Sequence, residues 1–125
     1  MKKIAIIEDD ASLSEMYQMK FETAGFEVRV AKDGKLGIEL CRTYKPDIIL
    51  LDLMMPEMTG DEMLRELRET DWGKDIKVLI MTNVSRDEVK TDLSHLKIDG
   101  YIIKAHYTPH QVIDLVKVTL AKKAS

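Results

Sequence analysis

Apolar residues fall along this chain in short unbroken runs, separated by longer segments in which they recur every three or four positions. The runs are KIAII at 3 to 7, EVRV at 27 to 30, DIILL at 47 to 51, KVLIM at 77 to 81 and YIIK at 101 to 104. They are mostly β-branched or aliphatic and show no inside/outside alternation, which predicts strands covered on both faces. The segments of helical period are 11 to 24, 34 to 44, 61 to 70, 86 to 95 and 109 to 122, the first with Leu13, Met16, Tyr17, Phe21 and Ala24 on one face. Gly25 closes that helix, and Thr108 with Pro109 supplies an N-cap and first-turn pair for the last. Five β and five α units alternate, so the crossovers are expected to be right-handed. The expected fold is α/β, a doubly wound (βα)5 parallel sheet with helices on both faces. Ligands of such sheets bind beyond the carboxyl ends of the strands, so the residues ending each strand carry the functional question.

Composition narrows the reading. With 125 residues, 45% hydrophobic and 33% charged, the chain fits one domain, 1–125, with one core. Nineteen Lys and Arg against 22 Asp and Glu give a formal charge of −3, and no basic face suited to a phosphate backbone stands out, so no direct nucleic-acid partner is expected. Cys41 is alone, no apolar run approaches a membrane span, and the apolar stretch after Lys2 and Lys3 is too short for a signal peptide. A cytoplasmic protein beginning at Met1 is expected. Only Lys123, Ala124 and Ser125 follow the last predicted helix, so the chain is expected to act alone through protein contacts or to be part of a longer regulator.

At the strand ends stand Glu8, Asp9 and Asp10, then Asp52, Thr82 and Lys104. Carboxylates converging on one rim repel each other and need a hard divalent cation, a nearby ammonium or raised pKa values. Mg²⁺ suits them best, because it prefers oxygen ligands, keeps several waters and commonly joins one or two carboxylates to a phosphoryl oxygen.

Four stretches in order, IIEDD, LLDLMMPEMTG, IMT and GYIIK, place Asp52 43 positions after Asp9, Thr82 30 positions after Asp52, and Lys104 22 positions after Thr82. On these motifs and intervals the chain resembles the response-regulator receiver domains of two-component signalling over essentially its whole length. The resemblance implies the flavodoxin-like, CheY-like sheet order 2-1-3-4-5. It also implies that Asp52 is the nucleophile that takes a phosphoryl group from the phosphohistidine of a sensor histidine kinase or phosphotransfer protein. Asp9 would hold Mg²⁺ directly and Glu8 through water, with the Asp52 carboxylate and the Met54 backbone carbonyl completing the protein ligands. Lys104 would contact one phosphoryl oxygen and the Thr82 hydroxyl another, and Tyr101 would turn inward when Thr82 moves. By the same analogy a downstream protein would bind the fourth predicted helix, the fifth strand and the fifth helix, and the domain would be a monomer or weak dimer. It would not be an enzyme beyond its own phosphorylation and slow dephosphorylation. Pro56 and Gly60 would shape the loop after Asp52, Pro by fixing φ and Gly by allowing positive φ.

Plainer readings stand beside these. EDD also suits a solvated helix start, and Asp10 is the best case of it. Asp52 alone reads as a turn former, Thr82 as a cap, Lys104 as a surface charge and Tyr101 as a packed edge aromatic. Met16, Met19, Met54, Met55 and Met63 read as core fillers and loop packers, and His106 with His110 as an improbable metal pair, since Pro109 starts a helix between them. Asp61/Arg65 and Arg65/Glu69 read as surface pairs and Trp72 as a loop cover.

The chain also departs from the family. KAHYTP puts Ala105 where receivers commonly have a cis proline, which predicts a trans Lys104 to Ala105 bond with one extra residue absorbing the turn. Asn83 would narrow the pocket. Apolar Met54 and Val84, where receivers often carry water-orienting groups, predict a long-lived phosphoaspartate. The alternatives weighed are a phosphorylation-independent interaction domain, a haloacid-dehalogenase-like phosphatase and a flavin-binding protein. The phosphatase needs a second acid where Met54 stands, and EDD would repel a flavin phosphate.

Overall fold

The computed structural model describes residues 1–83 and 93–122. Strands β1 (Lys3–Ile7), β2 (Glu27–Ala31), β3 (Ile48–Leu51), β4 (Lys77–Thr82) and β5 (Gly100–Ile103) form one parallel sheet in the order β2-β1-β3-β4-β5, as expected. The α-helices among the described residues are α1 (Ala11–Thr23), α2 (Gly34–Tyr44), α3 (Gly60–Arg68) and α4 (Pro109–Ala121), the last being the fifth helix predicted from the sequence. Of the predicted helix at 86 to 95, residues 86–92 lie outside the described residues, and Ser94–Leu96 form a 3₁₀ turn.

The strands do not alternate in polarity, yet they alternate in face. Ala5, Ile7, Ile49, Leu51, Val78 and Ile80 meet Cys41 of α2 and Met63, Leu64 and Leu67 of α3 on one side. Their neighbours Ile4, Ile6, Ile48, Leu50, Leu79 and Met81 meet Tyr17 and Phe21 of α1 and Val112 and Val116 of α4 on the other. Burying each of the larger aliphatic side chains contributes about 1.5–3 kcal/mol, and two faces double the number that one sheet can bury.

Coverage on both faces holds for β1, β3 and β4 but not for the edge strands, where Arg29 is exposed and Tyr101 and Ile103 are half-buried. Helices seated over the central strands leave the rims open. The methionines divide in the same way. Met63, Met81 and Met55 are buried, whereas Met19 and Met54 are exposed, which corrects the expectation that all would pack. Met19 lies off the buried stripe of Ser14, Tyr17 and Phe21 on α1, and Met54 stands in the loop beyond β3.

Side chains cap the helices at their starts, each contributing about 1 kcal/mol. Asp10 Oδ1 accepts from the Leu13 N–H (3.0 Å), which confirms its role as a helix start, and Asp33 Oδ1 accepts from the Leu36 N–H (2.8 Å). Thr59 with Glu62 and Thr108 with Gln111 form capping boxes.

Arg68, at the end of α3, gathers the connections on that side of the sheet. Its guanidinium donates to the carbonyls of Leu96 (2.7 Å), Gly73 (2.9 Å), Lys74 (3.2 Å), Ile76 (2.8 Å) and Lys97 (2.9 Å). Burial lowers its pKa, opposed by the charges of Asp99 and Asp75. Because lysine offers a single ammonium where five carbonyls converge, Arg68→Lys is expected to lose about 2–3 kcal/mol in urea unfolding, nearly as much as Arg68→Met. A lysine variant as stable as wild type would contradict that account.

Candidate functional site

Backbone pairing brings the strand-end acids together. The Asp52 N–H donates to the Ile7 carbonyl (3.0 Å) and the Glu8 N–H to the Ala31 carbonyl (2.9 Å), which fixes the chain just beyond three adjacent strands at one level. Glu8, Asp9 and Asp52 then each place a carboxylate oxygen within 4.8 Å of the other two, with Glu8 and Asp52 buried and Asp9 exposed. Thr82 at the end of β4 pairs in register with Ile103, so Lys104 is the next residue out, in a 3₁₀ turn (Lys104–His106). No cis peptide occurs among the described residues, so the Lys104 to Ala105 bond is trans as expected.

Lys104 joins the set. Its Nζ pairs with Glu8 Oε1 and lies 3.2 Å from Asp52 Oδ2, while Asp52 Oδ1 accepts from the Met54 N–H (3.1 Å) and Glu8 Oε2 from the Asp10 N–H (3.2 Å). Of the three remedies open to converging carboxylates, a cation, an ammonium or raised pKa values, the last two are present. Burial pushes the Glu8 carboxyl up to about 7 despite the hydrogen bond from Lys104. Burial pulls the Lys104 ammonium down, but the hydrogen bond to Glu8 and the charge of Asp52 outweigh it and raise its pKa. One ammonium cannot balance three carboxylates, and their oxygens are hard donors with one acid open to solvent, so the cluster suits a small divalent cation that retains water.

The raised Glu8 pKa has a definite sign. Between about 4.5 and about 7 the unfolded chain has released a proton that the folded chain keeps, so this group's contribution is fully present at acid pH and is lost as pH rises through 7. Without added divalent cation, unfolding free energy is expected to fall across that window by on the order of 3 kcal/mol at most, and Glu8→Gln to remove that slope. Urea melts at pH 5 and pH 8 measure it, and an unchanged slope in Glu8→Gln would contradict the assignment.

The loop from Asp52 to α3 departs from expectation at one residue. Gly60 does not have positive φ; Glu57 does, at 64°. Glycine is needed at 60 because a Cβ there would stand 2.1 Å from the Asp52 carbonyl oxygen. Thr82 is fully buried at the carboxyl end of β4 and Tyr101 packs half-buried on the α2/α3 side of the core. The Met54 side chain is 63% exposed, Asn83 is exposed, and Val84 lies outside the described residues. Among the described residues His106 and His110 join no metal-binding group, and His110 lies 3.5 Å from Asp114. Asp61 and Arg65 pair at 3.7 Å, and Trp72 packs against the core. The direct Glu8–Lys104 pair went unforeseen, because nothing local links residues 96 apart in the chain.

Known proteins match both the sequence and this geometry. A transcriptional regulator of Synechocystis, RpaA, is 35% identical over 104 residues, spanning 83% of this chain and 43% of that protein. The alkaline phosphatase synthesis regulator PhoP of Bacillus subtilis is 31% identical over 121 residues, 97% of this chain and 49% of that one. The chain therefore spans about half the length of these curated relatives. The chemotaxis protein CheY4 of Vibrio cholerae superposes with a TM-score of 0.87 at 25% identity, covering 95% of this chain and 98% of that one. The receiver domain of the Francisella response regulator 1452 superposes at 0.85 with 28% identity, covering 96% and 97%. The response regulator receiver domain family matches residues 4–117. The sheet order agrees with that match, and the chain belongs to the response regulator receiver domain family.

Proposed function

We propose that this domain is the phosphoacceptor of a two-component phosphorelay, with Asp52 as the residue phosphorylated. The observation that carries the reading is the clustering of Glu8, Asp9, Asp52 and Lys104 beyond the carboxyl ends of the strands. An Asp52 carboxylate oxygen attacks the phosphorus of a phosphohistidine, the P–N bond breaks, and the imidazole departs with that electron pair, leaving an acyl phosphate. Glu8, Asp9, the Asp52 carboxylate and the Met54 backbone carbonyl would hold Mg²⁺. When bound it neutralises negative charge on the transferring group. Lys104 exchanges its contact with Asp52 for a phosphoryl oxygen, and the Thr82 hydroxyl donates to another. Movement of Thr82 draws Tyr101 inward, which changes the surface around β5 and α4 where a downstream protein binds.

The donor in this reading is a sensor histidine kinase or phosphotransfer protein. The domain catalyses only its own phosphorylation and slow loss of phosphate, as a monomer or weak dimer in the cytoplasm. Solvent-exposed apolar Met54 offers no group to orient a hydrolytic water, which supports a long-lived phosphoaspartate. RpaA is named as DNA-binding; here the proposed output is protein contact, without direct nucleic-acid binding. No helix among the described residues is long and apolar enough to cross a membrane.

Incubation with acetyl phosphate tests the chemistry. Intact mass is expected to rise by one phosphoryl group with Mg²⁺, to stay unchanged with EDTA, and to stay unchanged in Asp52→Asn. Failure of folded wild type to gain mass from acetyl phosphate or from a phosphorylated kinase would favour the phosphorylation-independent interaction domain instead.

A further inference from the structure

Away from the acid cluster, a groove of about 660 Å³ runs between α2 and α3. Its floor is apolar, made by Ile38 of α2 and Met58 of the loop after β3, both half-buried against the core. Its edges are acidic. Glu62 and Glu66 stand one turn apart on α3, Glu39 stands on α2, and Glu57 closes the end, against a single base, Lys35. Two of these acids are engaged within the fold, Glu39 by Arg42 and Glu62 by the Thr59 cap. Glu57 and Glu66 have no side-chain partner among the described residues, and both are exposed.

We propose that this groove docks a basic amphipathic helix of a partner protein. An apolar floor with an acidic row along its α3 side and Glu57 at its end suits a helix whose apolar side chains, spaced three and four apart, enter the groove while Lys and Arg on the flank facing α3 meet the glutamates. A flat acidic surface would attract a basic chain in any orientation, whereas the apolar floor demands the amphipathic one. The position carries a consequence. The Met58 carbonyl accepts from the Gly34 N–H (3.1 Å), and the loop holding Met58 begins at Asp52. A helix seated on Met58 and the phosphoacceptor loop therefore act on one segment, and any effect of either on the other is reciprocal. The docking stands without the phosphoacceptor reading; only the coupling rests on it.

The test uses a helical peptide with leucines three and four apart flanked by lysines and arginines, a scrambled peptide of the same composition, and amide chemical-shift mapping on the whole chain. The amphipathic peptide is expected to shift resonances of α2, α3 and residues 57 to 59. The scrambled peptide is expected to bind at least tenfold more weakly, and the Glu57→Gln/Glu66→Gln double variant to lose about tenfold in affinity for the amphipathic one. No binding, shifts centred on another face, equal affinity for the scrambled peptide, or an unaffected double variant would each overturn the proposal. The coupling is read separately in the wild-type rate of mass gain from acetyl phosphate, expected to change when the peptide is saturating. An unchanged rate with mapped binding would remove the coupling and leave the docking; absence of any mass gain would instead remove the phosphoacceptor reading.

Discussion

Gly60→Ala is expected to destabilise the domain by about 3 kcal/mol or more, the largest loss from adding one methyl group anywhere around the site. The added Cβ would lie 2.1 Å from the Asp52 carbonyl oxygen, 2.8 Å from the Asp52 carbonyl carbon and 2.8 Å from Leu53 Cα. Those are backbone atoms of a buried segment, so no side chain can swing aside. Relief requires α3 to retreat from the end of β3, breaking the Gly60 N–H bond to the Leu53 carbonyl (3.1 Å) and moving Asp52 relative to Lys104. The variant is therefore expected to lose phosphoryl uptake along with stability. Urea unfolding at neutral pH measures the first effect. A variant within 1 kcal/mol of wild type, on the order of the smallest core substitutions, would show that the contact between α3 and the Asp52 backbone is looser than the structure has it.

Lys104→Met carries the second large effect, and its sign depends on pH. The ammonium sits between Glu8 and Asp52, with its side chain 12% exposed and theirs 2% and 7%. Removing it leaves two buried carboxylates facing each other, a change that typically costs about 3–5 kcal/mol when both stay ionised. Glu8, already pushed up to about 7 by burial, has a cheaper course at low pH, which is to keep its proton. The loss is accordingly expected to be small at pH 5 and large at pH 8, in the absence of divalent cation. Added Mg²⁺ should recover part of the stability at pH 8, because a bound cation replaces the missing positive charge. Phosphoryl uptake should remain at least about 100-fold below wild type even then, since the phosphoryl oxygen has lost its ammonium partner. Thermal melts at both pH values, with and without Mg²⁺, separate these effects. Equal destabilisation at pH 5 and pH 8 would mean that Glu8 and Lys104 do not form the pair that controls the site.

The sequence discloses the central sheet well because its information is local. Unbroken runs such as IILL at 48 to 51 place a strand that both faces bury, and Asp10, Gly25 and Thr108 mark helix ends through their own side chains or backbone. The acids and Lys104 are legible too, since strands in a parallel sheet bring their carboxyl ends to one edge whatever the chain between them does. Contacts set by three-dimensional packing were not legible. Arg68 looks like one charge in the solvated face of DEMLRELRE, yet it ties five carbonyls, three from the connection after α3 and two from Leu96 and Lys97 far along the chain. Gly60 announces a special backbone position but not which one; close approach and positive φ both select glycine, and here the positive φ fell to Glu57. Exposure at Arg29 was missed for another reason: the apolar run EVRV was read as covered on both faces, although the order 2-1-3-4-5 puts β2 at an edge.

The central claim is that Asp52 itself carries the phosphoryl group. It is tested most directly by borohydride trapping after phosphotransfer from a phosphorylated histidine kinase, because reduction converts an acyl phosphate to the alcohol of a homoserine and marks the residue permanently. Peptide mass spectrometry is expected to find homoserine at position 52 alone, in the Mg²⁺-containing sample and not in the EDTA control. Homoserine at position 9 or 10 with an unmodified Asp52, or label that resists reduction because it is not an acyl phosphate, would contradict the account.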